Sequence, residues 1–205
     1  MLNPAPDAPL ASADVDLEFV RRARDGDLDA FNKLVEAHQR AVYNLCLRMI
    51  GSPAGAEDGT QDAFLSAWRH IATFKGVSFR AWLMRIAANA CTDELRRRQR
   101  RPAVSIDAPL PGSDEPIDVP DAAAGPEAEV LRSEQQATIQ AALLRLPEDQ
   151  RLAVVLCDIQ GLAYEEIAES MRCSVGTVKS RIARGREKLR GLLGEEQTRV
   201  EKRHG

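Results

Sequence analysis

The sequence predicts an all-α protein made of two small helical domains joined by a flexible acidic linker. Three observations carry this. Aromatic residues make up only 4% of the 205 residues while Ala, Leu, Arg and Glu recur, a composition that favours helices over sandwiches and barrels. Apolar residues return at three- and four-residue steps over long stretches on both sides of the chain's middle. That middle, residues 102–126, reads "PAVSIDAPLPGSDEPIDVPDAAAGP", with repeated prolines, five acidic residues and no basic one. Proline stops a helix and the segment has too few apolar residues to bury, so an extended tether is expected.

The elements follow in order. Residues 1–16, rich in Pro, Ala and Asp, read as a disordered tail. From residue 17 a first domain runs to residue 101. Leu17, Val20 and Ala23 mark one helix, broken at Gly26. Phe31, Leu34, Val35, Val42, Leu45 and Met49 form the stripe of a second, ended by Gly51 and Pro53. "AGAEDGTQDAFLSAWRHIATF" is a third helix. "SFRAWLMRIAANACTDELRRRQRR" is a fourth, with Ser78 as N-cap and Phe79, Leu83, Ile86 and Ala90 on its buried side. Helical periodicity returns in a second domain over 127–195, in "EAEVLRSEQQATIQAALLRL", then, after Pro147, in "EDQRLAVVLCDIQG", "AYEEIAESM" and "CSVGTVKSRIARGREKL". Residues 196–205 read as a C-terminal tail.

The formal net charge is -3, but the charges are sorted into Arg-rich and acidic blocks, so the average hides local basic faces. No run of about 18 apolar residues exists and the N-terminal stretch lacks the basic flank and apolar centre of a leader, so a cytoplasmic protein is expected. Cys46, Cys91, Cys157 and Cys173 are scattered singly and away from His38, His70 and His204. Reduced, mostly buried thiols, no metal and no cofactor are therefore expected.

"AYEEIAESMRCSVGTVKSRIARGREKL" has the form helix, three-residue turn, helix. Ser174 caps the second helix, and Val175, Val178, Ile182, Gly185 and Leu189 face a core. Thr177, Arg181, Arg184 and Lys188 line a second face, with Lys179 and Ser180 beside it; only Glu187 opposes their charge. Such side chains donate to base edges and phosphates in a major groove, the docking of a helix-turn-helix. A merely solvated basic face is the alternative. In the first domain, Arg96, Arg97, Arg98, Arg100 and Arg101 form a dense block, either a phosphate footprint or a solvated end. Phe74, Trp68 and Trp82 lie near it in sequence, where aromatics stack on unpaired bases or pack in a core.

"AEDGTQDAFLSAW", "FRAWLMRIAANACTDELRRR" and "AYEEIAESMRCSVGTVKSRIARGREKL", in that order and around that linker, resemble regions 2 and 4 of the sigma-70 family in its short extracytoplasmic-function (ECF) form, over nearly all of residues 17–195. The resemblance implies a specificity subunit that binds core RNA polymerase through its β′ clamp helices and β flap. It implies reading of the minus-thirty-five element as duplex by the C-terminal domain, and reading and melting of the minus-ten element by the N-terminal one. The helix at 173–189 is then half of a bipartite reader. By the same resemblance Asp58, Gln61 and Asp62 dock on the polymerase clamp, and Asn89 reads the minus-ten element through an amide that both donates and accepts. Arg80 and Arg96, Arg97 and Arg98 contact the neighbouring backbone, and Thr177, Lys179, Ser180, Arg181 and Arg184 meet the minus-thirty-five element. Phe64, Phe74 and Phe79 are candidates to capture unstacked bases. The linker matches a segment threaded through polymerase channels, and its composition fits a plain tether equally. An anti-sigma factor is the implied regulatory partner, with a stress or envelope response as setting.

Two positions depart from the family pattern. Gly59 stands where a branched apolar residue is usual, costing about 1 kcal/mol of helix propensity, and Gly185 stands where alanine is usual. Two competing readings remain at this level. A conventional helix-turn-helix regulator would bind a duplex operator alone, usually as a dimer. A nucleic-acid enzyme would need a metal-binding carboxylate set or a nucleophile paired with a base, and neither is visible.

Overall fold

The computed structural model describes residues 10–76, 78–100 and 126–204, with side chains over 15–98, save residue 77, and 133–194. The linker 102–125, with Arg101, lies outside the described residues. Eight helices and no strand occur among those described: α1 (Leu10–Arg24), α2 (Leu28–Ile50), α3 (Pro53–His70), α4 (Phe79–Arg100), α5 (Pro126–Leu144), α6 (Glu148–Val154), α7 (Tyr164–Met171) and α8 (Val175–His204).

Local chemistry sets the boundaries. Gly26 adopts φ +91°, and Asp27 then caps α2, its carboxylate accepting from the Ala30 N–H at 3.0 Å. That bond, with the Arg22 guanidinium, holds Asp27 below the usual carboxylate range. Gly51, at φ +83°, closes α2 with its N–H on the Leu47 carbonyl. Ser52 and Pro53 open α3 as N-cap and first residue, and Ser78 caps α4 through the Ala81 N–H at 3.1 Å.

Two of the expected tails are helical. α1 begins at Leu10, so residues 1–16 are not a tail as a whole: Asp16 is buried and its Oδ2 lies 2.8 Å from Nε2 of buried His38 on α2. That contact is made across 22 positions, so a local composition reading misses it. At the other end α8 continues through the expected tail to His204.

α2, α3 and α4 share a core in which Leu34, Val42, Leu45 and Met49 meet Leu83 and Met84. α3 contributes Ala56, Gly59, Ala63 and Ala67, so the helices approach closely. The buried side of α4 is Phe79, Leu83, Met84, Ala87, Ala88 and Cys91; Ile86 and Ala90, expected inside, are only half-buried. The second group buries Leu152, Val155, Leu156, Ile167, Val178 and Ile182 among α6, α7 and α8. Between α6 and α7 the chain widens into a π turn over Val155–Ile159, where a continuous helix was expected through Gln160.

Candidate nucleic-acid interface

α7 and α8 form the helix-turn-helix. Arg172 takes the left-handed conformation at φ +50°, and the Cys173 N–H closes the turn on the Ala168 carbonyl at 3.0 Å. Ser174 Oγ accepts from the Thr177 N–H at 3.1 Å, the N-cap read from the sequence. Val178, Ile182 and Gly185 are buried, with Val175 and Leu189 at the margin.

The opposite face is uneven. Arg184 and Lys188 are exposed and have no partner among the described residues. Lys179 lies over the Tyr164 ring, 5.9 Å from its centroid. The hydroxyls of Thr177 and Ser180 are spent locally, Thr177 with Ser174 Oγ at 2.9 Å and Ser180 on the Thr177 carbonyl at 2.9 Å. Arg181 is half-buried, its Nε 2.9 Å from Asp149 Oδ2 at the start of α6. Glu187 is therefore not the only acid against this face. Arg186 is held above its ordinary value by a hydrogen bond to Asp158, which ties α8 to the π turn and away from the reading face.

In the first group, Asp58, Gln61 and Asp62 are all exposed along one side of α3. Leu65, 45% exposed, continues that row one turn on. Sequence reading missed it because a leucine in a helix is ordinarily counted as core; its phase with Asp58, Gln61 and Asp62, opposite Ala56, Ala63 and Ala67, was the available signal. Asn89 is exposed on α4 and opens onto a groove of about 350 Å³ between α3 and α4, lined by Asp62, Ser66, Ile86, Asn89, Asp93 and Arg97. Ile86 and Ala90 are less buried than expected because they wall this groove.

Three sets of expected contact residues are engaged within the chain itself. Phe64, Phe74 and Phe79 are 8%, 3% and 1% exposed, so none is available to stack on a base. The turn after α3 folds Phe74 back onto Phe79 and Trp82, at ring separations of 6.0 and 5.5 Å, while Trp68 packs on Phe31 at 4.9 Å. The arginine block is partly neutralised: Arg97 and Arg98 both pair with Glu94, and Arg96 approaches Asp93 at 3.7 Å. The side chains of Arg100 and Arg101 lie outside those described. Arg80 is half-buried; its Nη1 donates to the Gln160 carbonyl at 2.6 Å and its Nη2 to Gln160 Oε1 at 3.1 Å.

Residues 34–101 match the family described as Sigma-70 region 2, and residues 136–189 match Sigma-70, region 4. The RNA polymerase sigma-H factor of Pseudomonas aeruginosa is 39% identical over 179 residues, covering 85% of this chain and 91% of that protein. The ECF RNA polymerase sigma factor SigW of Bacillus subtilis is 38% identical, covering 85% and 94%. The chain belongs to the sigma-70 family. Among solved structures, the sigma factor RpoE in complex with the anti-sigma factor NepR from Bartonella quintana aligns with a TM-score of 0.62 at 26% identity, over 82% of this chain and 98% of that one. The match to region 2 leaves a conventional operator-binding regulator without support, since region 2 stands where a sensor or dimerisation domain would be.

Both departures from the sigma pattern have a packing cause. A Cβ on Gly59 would meet Cys46 Sγ and Ile50 Cδ1 at 3.3 Å each, so Gly59 lets α3 lie close on α2 while Asp58 and Asp62 stay exposed. A Cβ on Gly185 would meet Val154 Cγ2 at 2.6 Å and the Gln150 carbonyl oxygen at 3.3 Å, so Gly185 is where α8 crosses α6.

Cys46 and Cys91 are buried with their sulfurs 3.5 Å apart, Cys91 donating to Cys46. That bond pulls the Cys46 thiol down and pushes Cys91 up. Cys157 and Cys173 are half-buried. Among the described residues no three His, Cys, Asp or Glu side chains converge as metal ligands, and no helix is long and apolar enough to cross a membrane.

Proposed function

We propose that this sigma-70 family chain is an ECF sigma factor acting in the bacterial cytoplasm, which binds core RNA polymerase and directs promoter-specific initiation without catalysis of its own. The observation that carries the reading is that one chain holds both region 2 and region 4, each with an exposed polar face on a packed helical body. In this reading residues 17–101 are the polymerase-docking and minus-ten unit and 127–195 the minus-thirty-five unit, joined by 102–126.

Asp58, Gln61 and Asp62, joined by Leu65, dock on the polymerase clamp. Asn89 reads a minus-ten base across the groove it shares with Asp62, aided by Arg96, Arg97 and Arg98, whose acidic partners exchange for phosphates on binding. In region 4, Arg184 and Lys188 are ready to meet DNA, and Arg181 exchanges Asp149 for a base edge or phosphate. Thr177, Lys179 and Ser180 line the end of α8 nearest the groove. With Phe64, Phe74 and Phe79 buried, the pocket for an unstacked base is the groove built around Asn89. A separate anti-sigma factor is the proposed regulator, on the strength of the RpoE–NepR likeness, and a stress or envelope signal its trigger.

In vitro transcription with sigma-free core polymerase on genomic fragments tests this. Discrete start sites that require the protein are the expected result. No new start sites, with tight binding of the free protein to a duplex operator, would overturn it.

A further inference from the structure

Cys46 and Cys91 meet inside region 2. Cys46 belongs to the buried stripe of α2 with Val42, Leu45 and Met49, and Cys91 to the buried side of α4 with Ala87 and Ala88. Both are 0% exposed, and their sulfurs are 3.5 Å apart. A buried cysteine ordinarily packs as a small hydrophobe, and for that purpose two of them need not touch. Here two cysteines 45 positions apart are brought sulfur to sulfur across a helix–helix contact. A disulfide holds its sulfurs at about 2.05 Å, so an approach of about 1.5 Å closes the bond.

The two thiols are not equivalent. Cys91 donates its hydrogen to Cys46, which pulls the Cys46 thiol down and keeps the proton on Cys91. Cys91 is pushed up by that bond, by burial and by the charge of Cys46, while the charge of Arg151 on α6 opposes them. Arg151 is 5% exposed and its Nε has no hydrogen-bond partner. Once Cys46 no longer carries a thiolate, the bond and the repelling charge are gone and the guanidinium still favours ionisation of Cys91. On α3, a Cβ at position 59 would stand 3.3 Å from the Cys46 sulfur, so Gly59 leaves an atom-sized space beside that sulfur which a branched side chain would fill.

We propose that Cys46 and Cys91 are a hydroperoxide-reactive pair, Cys46 attacking and Cys91 resolving, whose disulfide staples α2 to α4. The Cys46 thiolate attacks one peroxide oxygen: an S–O bond forms, the O–O bond breaks, and the departing oxygen takes up a proton as alcohol or water. Cys46 is left as a neutral sulfenic acid, its oxygen in the space beside Gly59. The Cys91 sulfur then attacks Cys46: the S–S bond forms, the S–O bond breaks, and hydroxide leaves with the Cys91 proton as water. The thiols lose two electrons and two protons, and the hydroperoxide is reduced to an alcohol and water, or to water alone when it is hydrogen peroxide.

Two consequences follow from the placement. Both sulfurs are sealed from solvent, so the oxidant is a small molecule admitted by fluctuations of the core. The bond joins residues 45 positions apart and restricts the unfolded chain, so oxidation makes region 2 harder to unfold. The second thiol also stops oxidation at a reversible step, where a solitary sulfenic acid would go on to sulfinic acid. The pair and its test are independent of the sigma reading.

The full chain, as wild type and as Cys91→Ala, is treated with hydrogen peroxide under native conditions, then denatured in guanidinium chloride with N-ethylmaleimide and digested with trypsin without reduction. Alanine already fills the neighbouring buried positions Ala87 and Ala88, so the variant keeps its helix. Cleavage after Arg40, Arg48, Arg85 and Arg96 places Cys46 in peptide 41–48 and Cys91 in peptide 86–96. Wild type should yield these two peptides joined, about 2 Da lighter than their sum, and dithiothreitol should part them. In Cys91→Ala, peptide 41–48 should gain about 32 Da, a sulfinic acid that dithiothreitol leaves in place. Fluorescence of Trp68 and Trp82, both in region 2, should show the midpoint of thermal unfolding of wild type raised by about 10 °C on oxidation and restored by dithiothreitol. Recovery of both wild-type peptides separately, each carrying N-ethylmaleimide, overturns the pair. Joined peptides with an unchanged or lower midpoint overturn the staple. Peptide 41–48 left unoxidised in Cys91→Ala overturns Cys46 as the attacking thiol.

Discussion

Gly185→Ala should destabilise region 4 although it moves the chain toward the family pattern and improves helix propensity. The added Cβ would lie 2.6 Å from Val154 Cγ2 and 3.3 Å from the Gln150 carbonyl oxygen. Carbon atoms in good contact stand about 3.5 to 4.0 Å apart, so roughly 1 Å must be recovered. Neither neighbour gives easily. Val154 is β-branched and 3% exposed, and the Gln150 oxygen belongs to the α6 backbone. Overpacking of this kind costs about 1 to 3 kcal/mol. Alanine returns about 1 kcal/mol over glycine in a helix. The clash is at the severe end, so the net loss is about 1 to 2 kcal/mol, or a fall of several degrees in the melting temperature of a domain this small. Calorimetry of the full chain reads it, since both tryptophans, Trp68 and Trp82, lie in region 2 and leave region 4 invisible to their fluorescence. Val154→Ala supplies the control: the double variant should be more stable than the sum of the single losses by about 1 kcal/mol. A Gly185→Ala protein as stable as wild type, or more so, would refute the close-crossing argument.

Arg184→Ala should weaken minus-thirty-five recognition by about 1 to 3 kcal/mol, because Arg184 is exposed and has no intramolecular partner to give up; unchanged transcription from a promoter dependent on that element would refute it. Asp149→Ala should strengthen the same contact by freeing Arg181, read as an increase in affinity of the polymerase complex for promoter DNA that is absent in an Arg181→Ala background. Asp62→Arg should cut co-purification with core polymerase while circular dichroism stays unchanged, since Asp62 is exposed on α3. Arg172→Gly should raise stability by up to about 1 kcal/mol, because Arg172 is exposed at φ +50°, where glycine has no Cβ penalty; a loss of stability would show that the side chain has a role the turn geometry does not require.

The eight helices were legible because their signals are local. Ser78 and Ser174 cap the helices they were expected to cap, and Gly26 and Gly51 take the left-handed conformations that end theirs. What was not legible depends on partners distant in the chain. The Asp16–His38 contact turns part of an apparent tail into a packed helix, and Asp149, read only as the start of a helix, is the counter-ion of Arg181. Asp58, Gln61, Asp62 and Asn89 lie exposed on two helices, yet nothing in their spacing showed that Asp62 and Asn89 share a groove. The phenylalanines misled for a related reason. Phe74 and Phe79 flank a short turn, and a turn residue reads as exposed until the ring it folds onto is known.

Gln160 marks the deeper limit of periodicity. In a continuous α-helix from Glu148 the residue at 160 would fall on a face set by the 100° step, among the helix's own neighbours. The extra residue per turn over Val155–Ile159 breaks that phase and sends the side chain to another domain. The choice of residue then follows from the groups it meets there. A carboxylate facing Arg80 would bind the guanidinium more strongly, but it only accepts and would leave the Ala41 carbonyl without this donor. An amide satisfies the same donors and caps the Ala41 carbonyl with its own N–H, so one side chain serves a guanidinium and a carbonyl at once.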